Sequence, residues 1–108
     1  LVDAARFDVQ GHRGGRDLRP ENTLPAMEVA LDHLMTTLES DVGISADGVT
    51  LLSHEPHVAA ASCRRRDGAR YEEKDEVLIA QKSARELQSD YICDKVFRGP
   101  AQKNDAAM

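Results

Sequence analysis

A strand, a glycine-rich turn and a capped helix follow one another at the start of the chain, and that order restricts what it can fold into. In "RFDVQGH", Phe7, Val9 and Gly11 alternate with polar neighbours, the period-two pattern of a short strand ending near His12. The turn "GHRGGRDLRPENT", residues 11–23, gathers glycines, arginines and a histidine before closing in a helix-start signal. Thr23 (or Asn22) is a good N-cap, and Pro25 is tolerated in the first helical turn. Leu24, Met27, Leu31 and Leu34 recur at three- and four-residue steps, which predicts a helix burying that face. These pieces are the first half of a β/α unit.

Further along, "TTLESDVGISADGVTLLSHE" reads as a second strand running into a hairpin. Asp47-Gly48 is a strong signal for a two-residue type I′ turn. Pairing outward from it sets Ile44 against Leu51, Val42 against Ser53, and Asp41 against His54. One face is then apolar, with Val42, Ile44, Ala46, Val49 and Leu51. The other carries Asp41 and His54 opposite each other, with Glu39 two residues back.

The rest is less periodic. Residues 57–82, including "RRRDGARYEEKDE", read as a solvated loop or irregular ribbon. "SARE" at 83–86 is a capping box that opens a short helix through about Tyr91, and the tail "RGPAQKNDAAM" carries no readable pattern. At 108 residues the chain is at most one domain. A net charge of −5 and only 4% aromatic residues, with no Trp, argue against nucleic-acid partners. No apolar run is long enough for a membrane span. Cys63 and Cys93 fit no zinc spacing. They suit a disulfide in an exported protein and equally two free thiols. The opening Leu1, in place of Met, is expected of a processed or partial chain.

Singly, each polar group has a plain structural explanation: surface carboxylates, hydrogen-bonded histidines, solvated arginines, a glycine turn. Their combination within about fifty residues points to chemistry. Glu39 and Asp41 are hard oxygen ligands of the kind Ca²⁺ or Mg²⁺ takes. His12 and His54 can pass a proton near neutral pH, and Arg13 can clamp phosphate oxygens. The set suits transfer at a phosphodiester.

On His12-Arg13-Gly14, Pro20-Glu21-Asn22-Thr23, Glu39-x-Asp41, Asp47-Gly48 and His54, the sequence resembles the N-terminal part of the glycerophosphodiester phosphodiesterase family. "FDVQGHRG" and "ARELQSDY" resemble its exported bacterial branch. The family normally has Asp where Glu55 follows His54, and Thr in place of Ser45. The resemblance implies an α/β fold, the N-terminal portion of a TIM-type (β/α)₈ barrel. Such a barrel needs about 250 residues, so it is incomplete in this chain. It implies Glu39 and Asp41 as metal ligands for Ca²⁺ or Mg²⁺, His12 and His54 as the catalytic acid–base pair, and Arg13 as the substrate phosphate ligand. A further family carboxylate ligand has no matching position.

The expected organisation is one partial domain over 1–108. The motif-bearing region is 6–56, the irregular charged region 57–82, and the short helix and tail 83–108. The expected reaction is metal-dependent hydrolysis of a small-molecule glycerophosphodiester to glycerol 3-phosphate and an alcohol. Alternatives are a related phospholipase D-type phosphodiesterase and a non-catalytic remnant acting as a binding or oligomerising module. Self-association is expected of an open barrel fragment. Export to the periplasm or the extracellular space is the expected location, with the cytoplasm as the other.

Overall fold

The structure is a computed structural model and describes residues 7–104. Strand β1 (Gln10–His12), helix α1 (Leu24–Asp32) and strand β2 (Thr37–Glu39) form a β-α-β unit. The two strands run parallel, with His12 paired to Glu39 at the upper end of the ladder. The first strand is shorter than the alternation predicts, and Phe7 and Val9 lie outside it, exposed.

The start of α1 follows the sequence. Thr23 is the N-cap, its hydroxyl accepting from the Ala26 N–H, and Pro25 sits in the first turn. The buried face differs. Ala26 and Ala30 are buried, whereas Leu24, Leu31 and Leu34 point outward. Small residues win there because the Gly14-Gly15 backbone lies directly on the helix, with the Gly15 N–H donating to the Ala26 carbonyl at 2.7 Å. The helix also stops early. Leu34 adopts φ +59° and ends it with paired bonds from Leu34 N–H to Leu31 O and from Met35 N–H to Ala30 O. That is a Schellman stop in which leucine occupies the usual glycine position.

Strands β3 (Val42–Ile44) and β4 (Thr50–Leu52) form the expected hairpin, in a different register. Val42 pairs with Leu52, Gly43 with Leu51 and Ile44 with Thr50. Only Gly48, at φ +80°, is left-handed at the tip, so the turn is not type I′. Ser45 and Val49 close a three-residue loop, the alternative in which a type I turn is followed by a left-handed glycine. The one-residue shift sends Leu51 to the opposite face from Ile44. Leu51 reaches the core, while Val42 and Ile44 stay about 60% exposed (59% and 61%).

Most of the main core lies where the sequence suggested loop. Val58, Cys63, Ile79 and Leu87 are buried together, flanked by Leu51, Tyr71, Val77 and Tyr91. Strand β5 (Arg64–Arg65) pairs antiparallel with β6 (Tyr91–Ile92), and two 3₁₀ turns, Glu73–Asp75 and Ile79–Gln81, lie between them in the chain. The Tyr71 hydroxyl donates to the Val58 carbonyl at 2.6 Å and accepts from the Val77 N–H, so this aperiodic stretch is satisfied by side chains rather than by a ladder. Directly beyond the β5–β6 ladder, Cys63 and Cys93 are joined in a disulfide.

Helix α2 (Ala84–Asp90) begins at the capping box, with Ser83 and Glu86 exchanging hydrogen bonds. The hairpin tip docks on it: Asp47 accepts from the Ala84 N–H at 3.0 Å, and the Ala46 N–H donates to the Lys82 carbonyl. The bonds from Ser45 and then Ala84 hold the Asp47 carboxyl below its ordinary value. The tail is held in place as far as Asn104. Buried Gln102 bonds the backbone of Val96 and Arg98, and the Lys103 N–H reaches the Leu18 carbonyl at 3.0 Å.

Two outcomes are expected. Gly14 has φ +81°, and an added Cβ would stand 2.7 Å from Ala26 backbone, whereas at Gly48 it would meet open space. Gly14→Ala therefore costs about 2 kcal/mol or more and Gly48→Ala about 1 kcal/mol, measured by denaturant unfolding. Removing the disulfide, which spans a sequence separation of 30, costs about 3–4 kcal/mol on loop-closure grounds. Thermal unfolding with and without reductant checks this.

Candidate active site

The turn after β1 is closed by backbone. Arg13 and Asn22 both adopt left-handed φ, +56° and +54°, and the Asn22 N–H donates to the Arg13 carbonyl at 2.9 Å. Two non-glycine residues in that region are uncommon. Here each is held by its side chain as well as its backbone.

Arg13 is the centre of the arrangement. Its backbone N–H donates to Glu39 Oε2 at 2.8 Å, and its Nη1 donates to Glu21 Oε1 at 2.8 Å. Its Nε lies 3.2 Å from Asp41 Oδ2. That distance is an ion pair, but the angle is wrong for a hydrogen bond, and the buried Nε–H has no acceptor among the described residues. Asn22 holds Asp41 from the other side, donating from Nδ2 to Oδ2 and accepting from the Asp41 N–H, both at 3.1 Å. The β-α-β unit therefore brings Arg13, Glu21, Asn22, Glu39 and Asp41 together.

The histidines stand at the edge. His12 Nε2 is 3.6 Å from Glu39 Oε2, as the ladder pairing of these residues requires. His54 does not face Asp41. The hairpin register gives Asp41 the backbone of Ser53 instead, through a 2.9 Å bond to the Asp41 carbonyl. The carboxylate partner of His54 is its neighbour Glu55, 2.9 Å from Nδ1. A shallow cleft of about 290 Å³ lies beside His54, lined by Val42, Ile44 and Ile79. A larger one, about 400 Å³, lies between Arg65, Tyr71 and Tyr91 and includes none of the motif residues. Cleft size does not mark the site here; the convergence of charged side chains does.

Sequence reasoning left Glu21 without a role. Its two oxygens are shared between arginines from opposite ends of the chain: Oε1 takes Arg13, and Oε2 takes Arg98 at 2.6 Å from Nη2 and 3.1 Å from Nε. Burial pushes the Glu21 carboxyl up, but the hydrogen bonds from Arg98 and then Arg13 outweigh it and leave it below its ordinary value. Arg98 was not a candidate at all. Nothing local at a separation of 77 residues could have announced it.

Whether a divalent ion fits can be judged from the donors. Glu39 and Asp41 each use one oxygen, Oε2 and Oδ2, for the contacts above, and each leaves its second oxygen without a protein partner among the described residues. Two such oxygens suit an ion that takes the remainder of its ligands from water and substrate phosphate. Among the described residues no third His, Cys, Asp or Glu joins them in a cluster.

The model of the glycerophosphoryl diester phosphodiesterase family matches residues 12–104. The human protein named glycerophosphoinositol inositolphosphodiesterase GDPD2 is 43% identical over 49 residues, 45% of this chain and 9% of its own length. Human glycerophosphodiester phosphodiesterase domain-containing protein 5 is 44% identical over 45 residues, 42% of this chain and 7% of its own. The chain thus spans under a tenth of these relatives. The crystal structure of a candidate glycerophosphoryl diester phosphodiesterase from Silicibacter pomeroyi DSS-3 superposes with a TM-score of 0.70 at 35% identity, over 77% of this chain and 28% of that one. With the family model running from His12 to Asn104, through every motif residue of the site, the chain belongs to the glycerophosphoryl diester phosphodiesterase family.

Proposed function

We propose that this chain supplies the phosphate-facing part of a metal-dependent phosphodiesterase that converts glycerophosphodiesters and water into glycerol 3-phosphate and an alcohol. The observation that carries this reading is the placement of Arg13 between Asp41 and Glu21, with His12 beside Glu39 at the end of β1. In the proposal the chain is the first portion of a (β/α)₈ barrel, a partial domain whose motif-bearing region is 6–56. The exposed side chains of Val42, Ile44, Leu24 and Leu31 are consistent with elements that would cover them.

Arg13 binds the phosphate: its guanidinium is held at Nη1 by Glu21, and its Nε–H keeps an unused donor for an anionic oxygen. Glu39 and Asp41 hold Ca²⁺ or Mg²⁺, which when bound neutralises phosphate charge. His12 acts as the base that takes a proton from the attacking oxygen. His54 acts as the acid. Glu55 accepts from Nδ1–H and so leaves Nε2 to deliver a proton to the departing alcohol. Glu55 thereby replaces Asp41 as the group that orients His54. The Cys63–Cys93 disulfide supports a periplasmic or extracellular location, since such bonds persist in oxidising compartments. No described helix is long and apolar enough to cross a membrane.

Release of glycerol 3-phosphate from glycerophosphocholine, with and without chelator, tests the reaction. Chelation is expected to abolish it, with Ca²⁺ or Mg²⁺ restoring it. Glu39→Gln and Asp41→Asn should each weaken divalent-ion binding by at least the roughly 10–100-fold typical of losing an outer-shell partner, whereas Asp47→Ala should lower stability and leave ion affinity intact. Equal loss from all three would remove the ligand assignment. His12→Ala and His54→Ala should each lower kcat by about 10²–10⁴-fold. Only His54→Ala should regain speed on a nitrophenyl ester, whose leaving group needs no proton. An equal response of both variants would reverse or void the acid and base labels. In sedimentation, the isolated chain should self-associate through its open edges; a strictly monomeric chain would argue against the partial-barrel reading.

A further inference from the structure

The geometry points to Arg98 as a positioning residue for the phosphate site, acting through Glu21 on Arg13. This inference deepens the phosphodiesterase reading and rests on it for its kinetic consequences. The chain of contacts is short and charged throughout. Arg98 places Nη2 and Nε on Glu21 Oε2, and Glu21 Oε1 receives Arg13 Nη1. All three side chains are at most about a third exposed: Arg98 34%, Glu21 18% and Arg13 15%. A single carboxylate between two guanidiniums has both oxygens committed, so its rotation is restricted. Without Arg98, Glu21 would keep its bond to Arg13 but could swing with it away from Asp41, and the 3.2 Å Arg13–Asp41 approach would be lost.

Arg98 is itself well supported. Its backbone N–H donates to buried Gln102, which also bonds the Val96 carbonyl, and the Lys103 N–H ties the same segment to Leu18 in the glycine–arginine turn. The segment is therefore a strap laid across the turn, and Arg98 is where it touches the site. A strap that only stabilised the fold would need no charged contact to Glu21. Its root is held separately, by Arg64 on Asp94 at 2.8 and 2.9 Å.

That separation supplies the test. In the active protein, Arg98→Ala is expected to raise KM for glycerophosphocholine about tenfold while kcat changes less than about twofold. Arg98→Lys, which keeps one donor, should recover part of the loss. Combining Arg98→Ala with Arg13→Ala should give no further rise beyond Arg13→Ala alone. Arg64→Ala, which loosens the same strap at its root, should lower Tm and leave KM unchanged. A KM rise in Arg64→Ala equal to that in Arg98→Ala, or additive effects of Arg13 and Arg98, would overturn the inference. A second readout is independent of turnover: the Arg13 Nε–H resonance should shift or broaden in Arg98→Ala and stay in place in Arg64→Ala. If the unaltered protein hydrolyses nothing, the functional reading fails, and the resonance alone then decides whether Arg98 positions Arg13.

Discussion

The close approach of the Gly14-Gly15 backbone to Ala26 underlies the rest of the site. It lets the turn after β1 lie flat on helix α1, with the Gly15 N–H bonded into the helix at Ala26. Only from that position can Arg13 turn back into a left-handed conformation, close the loop on Asn22 and present its N–H to Glu39. A side chain at residue 14 would lift the turn off the helix, and the carboxylates of β2 and the β2–β3 junction would lose Arg13 as their common partner, through its backbone N–H at Glu39 and its guanidinium at Asp41. Packing of the smallest residues thus fixes the placement of the most polar ones.

Much of this was legible where chemistry is local. The N-cap at Thr23 and the capping box at Ser83 and Glu86 follow from residues within four positions of one another, and the strand–turn–helix order from one continuous stretch. The motif residues Arg13, Glu39 and Asp41 also came together as their order suggested. What was not legible depends on contacts distant in the chain. The leucine period of α1 marks the outward face, because the inward one needs alanines that a hydrophobicity pattern undervalues. Its end was hidden too, since Leu34 takes a left-handed conformation that sequence assigns to glycine or asparagine.

The hairpin teaches a sharper lesson. Asp47-Gly48 does mark the turn, but a three-residue loop in place of two moves the pairing by one position. That single step exchanges the faces of the sheet and separates Asp41 from His54, while Glu55, adjacent in sequence, becomes the partner of His54. The charged stretch at 57–82 is irregular, as its lack of period implies, but it also carries core residues that no period announces. Its apolar residues, Val58, Val77 and Ile79, are spaced by no helical or strand period because 3₁₀ turns and side-chain bonds hold the backbone.

The ionic bridge between Glu21 and Arg98 spans 77 residues, and that distance has a consequence in time. A chain made from its N-terminus can form the β-α-β unit as soon as β2 emerges, yet Glu21 must wait for Arg98 before its second oxygen is occupied. The disulfide between Cys63 and Cys93 shortens the route between the two by bypassing the segment they enclose. Because loop entropy grows only logarithmically, the shortcut lowers the closure cost by less than about 1 kcal/mol. Its effect falls on reach: with Cys93 held at Cys63, the strap that carries Arg98 runs from a fixed point only a few residues away.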